Sequence, residues 1–363
     1  MADATNTENP SVSIESLAAL IWPALGLILV LLAISLFTSL FGTDLVQMAL
    51  IETLVKVVVV VGLYIFIGNS GVVSFGHIVF MLLGAYCSAW LTLPVRLKQM
   101  NLPGLPPFLA EHQYDVFPAA LASGGLAAAF AAVIGIALMR ISGLAAAMAM
   151  FCVLAVLHMV YSNWDAVTLG LSSVVGLPTY VNVWVAFAWA AVAITAAYVY
   201  QSSRFGLALR ATREDEVAAQ ASGIHIMGQR MRAFVLSAFF VGVGGALYGH
   251  YLGAVSVETF YIGMTFVTLA MLVVGGMRSL SGAVIGVLVI SALVESLRKL
   301  ESGIDLGGFM LAAPTYSQEL GLAVVMILIL LFRPKGLMAG TELQWPPRVH
   351  TRLRLRFTKG EKR

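Results

Sequence analysis

Charge is scarce in this sequence. Asp, Glu, Lys and Arg make up 11% of its 363 residues, against about 25% in a soluble globular domain. Hydrophobic residues make up 60%, so a water-soluble fold is excluded. Cysteine is nearly missing: Cys87 and Cys152 both lie inside apolar runs, which excludes a disulfide framework and reads them as small buried hydrophobes. No G-x-x-x-x-G-K-[ST] occurs, so the chain has no loop to cradle nucleotide phosphates. Neither G-x-S-x-G nor H-E-x-x-H occurs, and no enzyme is expected. His77, His158 and His250 fall in different apolar segments, with no Cys or carboxylate at ligand spacing. No metal and no other cofactor is therefore expected on this chain, nor a nucleic-acid partner. Residues 1–16 hold Asp3, Glu8 and Glu15 but no Lys or Arg. A signal peptide needs a positive start, so a retained polar tail is the reading.

What the sequence has is one apolar run after another. The runs are continuous rather than alternating, which makes them helices and not barrel strands. At about 20 residues per span, roughly ten helices are expected, near 17–40, 46–67, 72–93, 117–139, 141–161, 181–200, 231–252, 261–277, 283–298 and 317–332. The expected fold class is an all-α, polytopic membrane protein with a polar tail at 1–16, a transmembrane domain at 17–338 and a basic tail at 339–363. That tail alternates basic and apolar residues from Arg352 to Phe357, a pattern suited to anionic lipid.

Charge sets the orientation. Of 21 Lys and Arg, five lie in 201–232 and nine in 333–363, so both segments are expected on the cytoplasmic side. Counting spans backwards puts the amino terminus there too and turns the linkers 94–116 and 162–180 outward. Arg96, Lys98, Arg298 and Lys299 then break the rule. Glu52 with Lys56, and Glu295 with Lys299, are four apart on helix faces and are expected to form structural ion pairs.

The loop 201–232 reads QSSRFGLALRATREDEVAAQASGIHIMGQRMR. Thr212 followed by Asp215 resembles a capping box. Glu214, Asp215 and Glu216 suit the positive first turn of a helix, and Gly223 suits the residue that ends it. A helix of about ten residues is expected between two spans, showing a small smooth face built on Ala218 and Ala219.

Two glycine-rich stretches interrupt apolar runs in opposite halves of the chain: GNSGVVSFGH at 68–77 and GGMRSLSG at 275–282. Paired breaks of this kind mark a transporter's binding site or gate, because freed backbone groups persist in a membrane only where protein or water meets them. The candidates are Gly68, Asn69, Ser70, Gly71, Ser74, Gly76 and His77 in the first and Gly275, Gly276, Ser279 and Gly282 in the second. A re-entrant loop and a tight hairpin both fit the pattern. Gly245, Gly249 and Gly253 form a doubled G-x-x-x-G suited to close helix packing, within this chain or against another.

Several motifs in order carry a resemblance. E216-V-A-A-Q-A-S-G223 is similar to the EAA-type loop of ABC transporter permeases. The longer stretches from Ser203 to Ile224 and from Arg232 to Leu252, with V274-G-G-M-R-S-L-S-G-A-V-I-G286, F332-R-P-K-G-L337 and the 68–77 stretch, resemble the branched-chain amino acid permease family of LivM type. The resemblance covers roughly residues 46–338. It implies an ABC importer permease fold and a bacterial inner-membrane subunit with both termini cytoplasmic. It also implies a paired related permease, two cytoplasmic ATPases that bind the ATP, and a periplasmic solute-binding protein. On it, Glu214, Asp215, Glu216, Ala218, Ala219 and Gly223 are ATPase-coupling residues, and Thr168 joins the pathway set. The chain departs from the family at G143-L-A-A-A147, which lacks an aromatic residue, and at T168-L-G-L-S-S-V174, where Leu169 and Ser173 replace usual glycines. The solute is thereby left open. The alternative is a stand-alone ion-coupled transporter or channel, for which only Glu52 and Glu295 offer acids inside spans.

Overall fold

The computed structural model describes residues 14–141, 143–302, 304–305, 310–311 and 317–342. Most of the two expected tails lies outside the described residues. The chain runs through α1 (Ile14–Phe41), α2 (Asp44–Ser70), α3 (Ile78–Thr92), α4 (Val95–Asn101), α5 (Pro107–Ala110), α6 (Val116–Leu138), α7 (Gly143–Ser162) and α8 (Asp165–Thr168). After a short strand β1 (Val174–Val175) come α9 (Val183–Ser202), α10 (Arg204–Glu214), α11 (Glu216–Ala221) and α12 (Ile226–Leu252). Strand β2 (Ala254–Val255), a 3₁₀ turn at Glu258–Phe260, α13 (Ile262–Gly275), α14 (Leu280–Ser302), strands β3 (Ile304–Asp305) and β4 (Met310–Leu311), and α15 (Ser317–Phe332) complete it.

Helices α2 and α12 are apolar on every side because every side is covered. Leu54 to Ser70 is an unbroken buried run, as is Phe240 to His250, and such all-round apolarity marks a helix in the middle of a bundle. Small residues on α12 let α2, α3 and α6 come close. A Cβ built on Gly245 would fall on the Met81 carbonyl of α3, and one on Gly242 would lie 2.6 Å from the Ala127 methyl of α6. Gly84 of α3 meets the Gly242 carbonyl in the same way. Gly253 ends α12 at φ +69. The helices of the doubled G-x-x-x-G thus meet neighbours of this same chain.

Among the described residues, eight helices are long and apolar enough to cross a membrane, and a ninth span counts if the bent pair α3–α4 is one. The ten expected segments coincide with helices, but α3 has 15 residues, about 22 Å, because the chain does not become helical until Ile78. In α15 the apolar stretch is Leu320–Ile329.

Connections gather at two ends. At one end Lys98 donates to the carbonyls of Leu91 (3.2 Å), Leu109 (2.9 Å) and His112 (2.7 Å). Gly104 N donates to Ala166 O (2.9 Å), β1 pairs antiparallel with β2, and His250 sits 2.8 Å from both Ser88 Oγ and Pro178 O. Lys98 breaks the charge rule, yet its ammonium is wholly buried under carbonyl oxygens. Arg298, another exception, lies 3.8 Å from Glu52 and 3.4 Å from Glu295, while Lys56 bonds Glu52 at 2.6 Å. Glu295, expected to pair with Lys299, has Arg298, three residues on, at 3.4 Å. One further reading is corrected: Cys152 is exposed, on the outer surface of α7.

Candidate functional site

The first glycine-rich stretch begins as helix. α2 continues through Gly68, Asn69 and Ser70 and stops at Gly71, whose φ of +74 no bulky residue adopts cheaply. The segment from Gly71 to His77 is irregular and turns back into the bundle. Gly76 lies against the Met150 carbonyl of α7 with no room for a Cβ. His77 is buried between Phe66, Phe80 and Phe234, with ring centroids at 5.2, 5.5 and 5.3 Å, and its Nδ1 sits 2.6 Å from Ser74 Oγ. Met150 is seven residues past the start of α7, so α3 begins about 10 Å inside the bundle. Among the described residues, the backbone N–H groups of Val73, Ser74 and Phe75 have no hydrogen-bond partner.

The second stretch lies directly against the first. A Cβ on Gly68 would come 2.7 Å from Met277 O. Gly275 and Gly282 are in backbone contact, which lets α13 and α14 fold back on each other tightly. Ser279 Oγ accepts from Gly282 N (3.1 Å) and closes the first turn of α14. The amino-terminal end of α14 is already occupied: Glu342 accepts from Leu280 N (2.9 Å), Ser281 N (3.1 Å) and Ser281 Oγ (2.8 Å). The segment carrying Glu342 is strapped to the break by Leu337 N to Val274 O (2.8 Å) and Met338 N to Gly275 O (3.0 Å).

The loop 201–232 closes the arrangement. Ser203 Oγ accepts from Gly206 N and caps α10. Arg210 Nε donates to Asn69 Oδ1 (2.8 Å), and an Arg213 guanidinium nitrogen donates to the Gly68 carbonyl (2.6 Å). Two residues of the first break are thus held by two arginines three apart on one helix face. Tyr64 donates to Gln201 Oε1 (2.6 Å), whose amide faces Glu342 (3.5 Å). Bonds from Arg213, then its charge and that of Arg278, hold the exposed Glu214 carboxyl below the usual range.

The loop differs from the single helix expected. Thr212 does not start a helix; it sits inside α10 with its hydroxyl on Leu209 O (2.7 Å). Asp215 is the cap instead, accepting from Val217 N (2.8 Å) and Ala218 N (2.9 Å), because its short carboxylate reaches those amides from an extended backbone. α11 has six residues and closes in a Schellman arrangement: Gly223 N bonds Gln220 O, Ile224 N bonds Ala219 O, and Gly223 takes φ +80. Glu216 pairs with Arg230 of α12. Ala218 and Gly223 face outward, while Ala219 is buried.

A cleft of ≈ 630 Å³ opens between the break at 70–75, the start of α7 and the loop residues Thr212, Arg213, Glu214 and Glu216, with Arg230 at its wall. Across Phe75 lies an apolar groove of ≈ 260 Å³ between α7 and α13, lined by Met148, Phe151, Cys152, Ile262, Thr265 and Phe266. Thr168 is not part of this gathering. It lies past the far end of α7, about 30 Å away along that helix, with its hydroxyl on Tyr161 O (2.6 Å) and Trp164 O (2.8 Å). Next to it Leu169 holds φ +60, a left-handed backbone that explains why glycine suits the position.

Arg210, Arg213, Tyr64, Gln201, Phe75 and Glu342 belong to this face but were not among the sequence candidates. The i, i+3 spacing of the two arginines was a usable signal. Tyr64 and Glu342 offer none, since the Gln201 they share lies 137 residues from the first and 141 from the second along the chain.

The family described as "Branched-chain amino acid transport system / permease component" matches residues 45–332. The chain is 30% identical over 141 residues to the high-affinity branched-chain amino acid transport system permease protein LivM of Escherichia coli, covering 38% of this chain and 29% of that protein. It is 30% identical over 146 residues to the probable branched-chain amino acid transport permease protein LivM of Methanocaldococcus jannaschii, covering 39% and 42%. It is 41% identical over 85 residues to the nucleoside ABC transporter permease protein NupC of Lactococcus lactis, covering 23% and 26%. The matched stretches thus span less than half of each of these relatives. No solved structure matches.

Proposed function

The chain belongs to the branched-chain amino acid transport permease family, and from that premise we propose that it is the membrane subunit of an ATP-driven importer for branched-chain amino acids or a related small solute. It is a multi-pass membrane protein. On this reading it sits in a bacterial inner membrane with the loop and both termini in the cytoplasm. It pairs with a related permease, two ATPase subunits supply the ATP chemistry, and a periplasmic protein delivers the solute.

The observation that carries the proposal is the grip of α10 on the end of α2. A partner that presses α11 moves α10, to which α11 is joined through Asp215. Arg210 and Arg213 pass that displacement to Asn69 and Gly68. Beyond them the irregular segment lines the cleft through Gly71, Val72, Val73 and Phe75, with unpartnered N–H groups that water or a solute carboxylate can satisfy. α14 does not share that role, because Glu342 already holds its first amides.

Leucine uptake by proteoliposomes holding the assembled transporter tests the reading. Gly223 has open space around it and a left-handed backbone. Gly223→Val is expected to insert normally, leave ATP hydrolysis running and reduce uptake about tenfold, while Gly223→Asn, which tolerates that backbone, stays near wild type. Uptake by the purified chain alone, driven by an ion gradient, would overturn the proposal. The Lactococcus lactis relative favours a second solute class, nucleosides, and competition of leucine uptake by unlabelled adenosine reads it out.

A further inference from the structure

Where α13 and α15 end side by side, a separate cleft of ≈ 360 Å³ opens. Val273 and Met277 form its apolar floor, and Arg278, Lys335, Ala339 and Gly340 its wall. The wall is a built feature. Gly336, Ala339 and Gly340 all take left-handed φ values, of +77, +49 and +79, which curl the chain after α15 into a compact turn. That turn is bonded to α13 through Val274 and Gly275.

The charged residues that line this cleft, Arg278 and Lys335, are both cationic. Arg278 and Lys335 are both exposed, as is Arg333 beside them. Among the described residues their side chains form no hydrogen bond or ion pair. The nearest carboxylates are engaged elsewhere: Glu342 on α14 and Glu214 on Arg213. Below the cleft, Leu331 and Phe332 of α15 are exposed apolar surface. A cationic rim over an apolar floor, at the ends of two membrane-embedded helices, matches an anionic headgroup with its acyl chains running down the helices. It does not match a freely soluble anion, which has no use for the floor.

We propose that this cleft binds the phosphate-bearing headgroup of an anionic phospholipid, held by Arg278 and Lys335. The bound lipid would brace the turn that is strapped to the second glycine-rich break. The site is independent of the transported solute and of any ATPase, so it stands or falls apart from the import reading.

The test uses the full chain in nanodiscs made from equal parts phosphatidylglycerol and phosphatidylcholine, with lipid retained after detergent extraction counted by native mass spectrometry. Wild type is expected to retain phosphatidylglycerol in preference to phosphatidylcholine. The double variant Arg278→Gln/Lys335→Gln is expected to lose that preference roughly 30-fold. The charge-conserving pair Arg278→Lys/Lys335→Arg should keep it, and so should Arg140→Gln, which removes an exposed cation elsewhere. Retention unchanged in the Gln pair would overturn the proposal, as would equal loss in the charge-conserving pair or in Arg140→Gln. Displacement of the lipid by inorganic phosphate alone would overturn the lipid assignment in favour of a soluble anion.

Discussion

Gly76 shows how far single residues decide this structure. A methyl group there would occupy the Met150 carbonyl of α7, and two backbones cannot give way as a flexible side chain can. Gly76→Ala is expected to destabilise the chain by about 3 kcal/mol, read as a lowered melting temperature in detergent. Gly125 of α6 meets nothing within 4 Å, so Gly125→Ala should raise stability by about 0.5–1 kcal/mol through helix propensity alone. Both are glycines in apolar surroundings, and the sequence does not say which of them is crowded. It did point to the stretch around Gly76, because Ser74 and His77 are costly in a plain span. It did not show that His77 would be boxed in by Phe66 and Phe234, which come from other helices.

At the scale of one element, α11 is too short to stand by propensity. Its six residues depend on the Asp215 cap and the Gly223 closure, since isolated short helices are marginal in water. Asp215→Ala should cost about 1 kcal/mol and speed amide exchange at Val217 and Ala218 roughly 5-fold, measured by hydrogen–deuterium exchange. The acidic residues and the glycine were legible as the ends of a helix. The division into α10 and α11 was not, because both Thr212 and Asp215 are good caps and only the fold decides which backbone is extended. α3 was misjudged for a related reason. The apolar residues Val72, Val73 and Phe75 read as span, but the glycines among them let the chain run unwound until Ile78.

At the scale of the whole molecule, connections among the described residues gather at two ends of the bundle. On the proposed orientation, a membrane-impermeant maleimide should label Glu111→Cys and Ser173→Cys from the periplasm, and Val217→Cys and Lys335→Cys only after the cells are opened. Labelling of all four from one side would refute the alternation. The apolar helices were readable in advance because hydrophobic length is a local property. The face that joins the two breaks was readable only in part. The breaks announce themselves by composition, whereas the bonds that fasten them join residues such as Asn69 and Arg210, far apart along the chain.

Glu342 has a consequence for how the protein is made. Synthesis proceeds from the amino terminus, so α13 and α14 enter the membrane before residue 342 has left the ribosome. Until then the first amides of α14 lack their carboxylate, and the hairpin at 275–282 lacks the link that Glu342 makes to Gln201 of α9. A product truncated just after α15 would carry every membrane helix described above and still be unfinished, with its second break unlatched. Quality control that recognises such loose ends would have its target here, some ten residues beyond the point where hydrophobicity alone says that the membrane domain is complete.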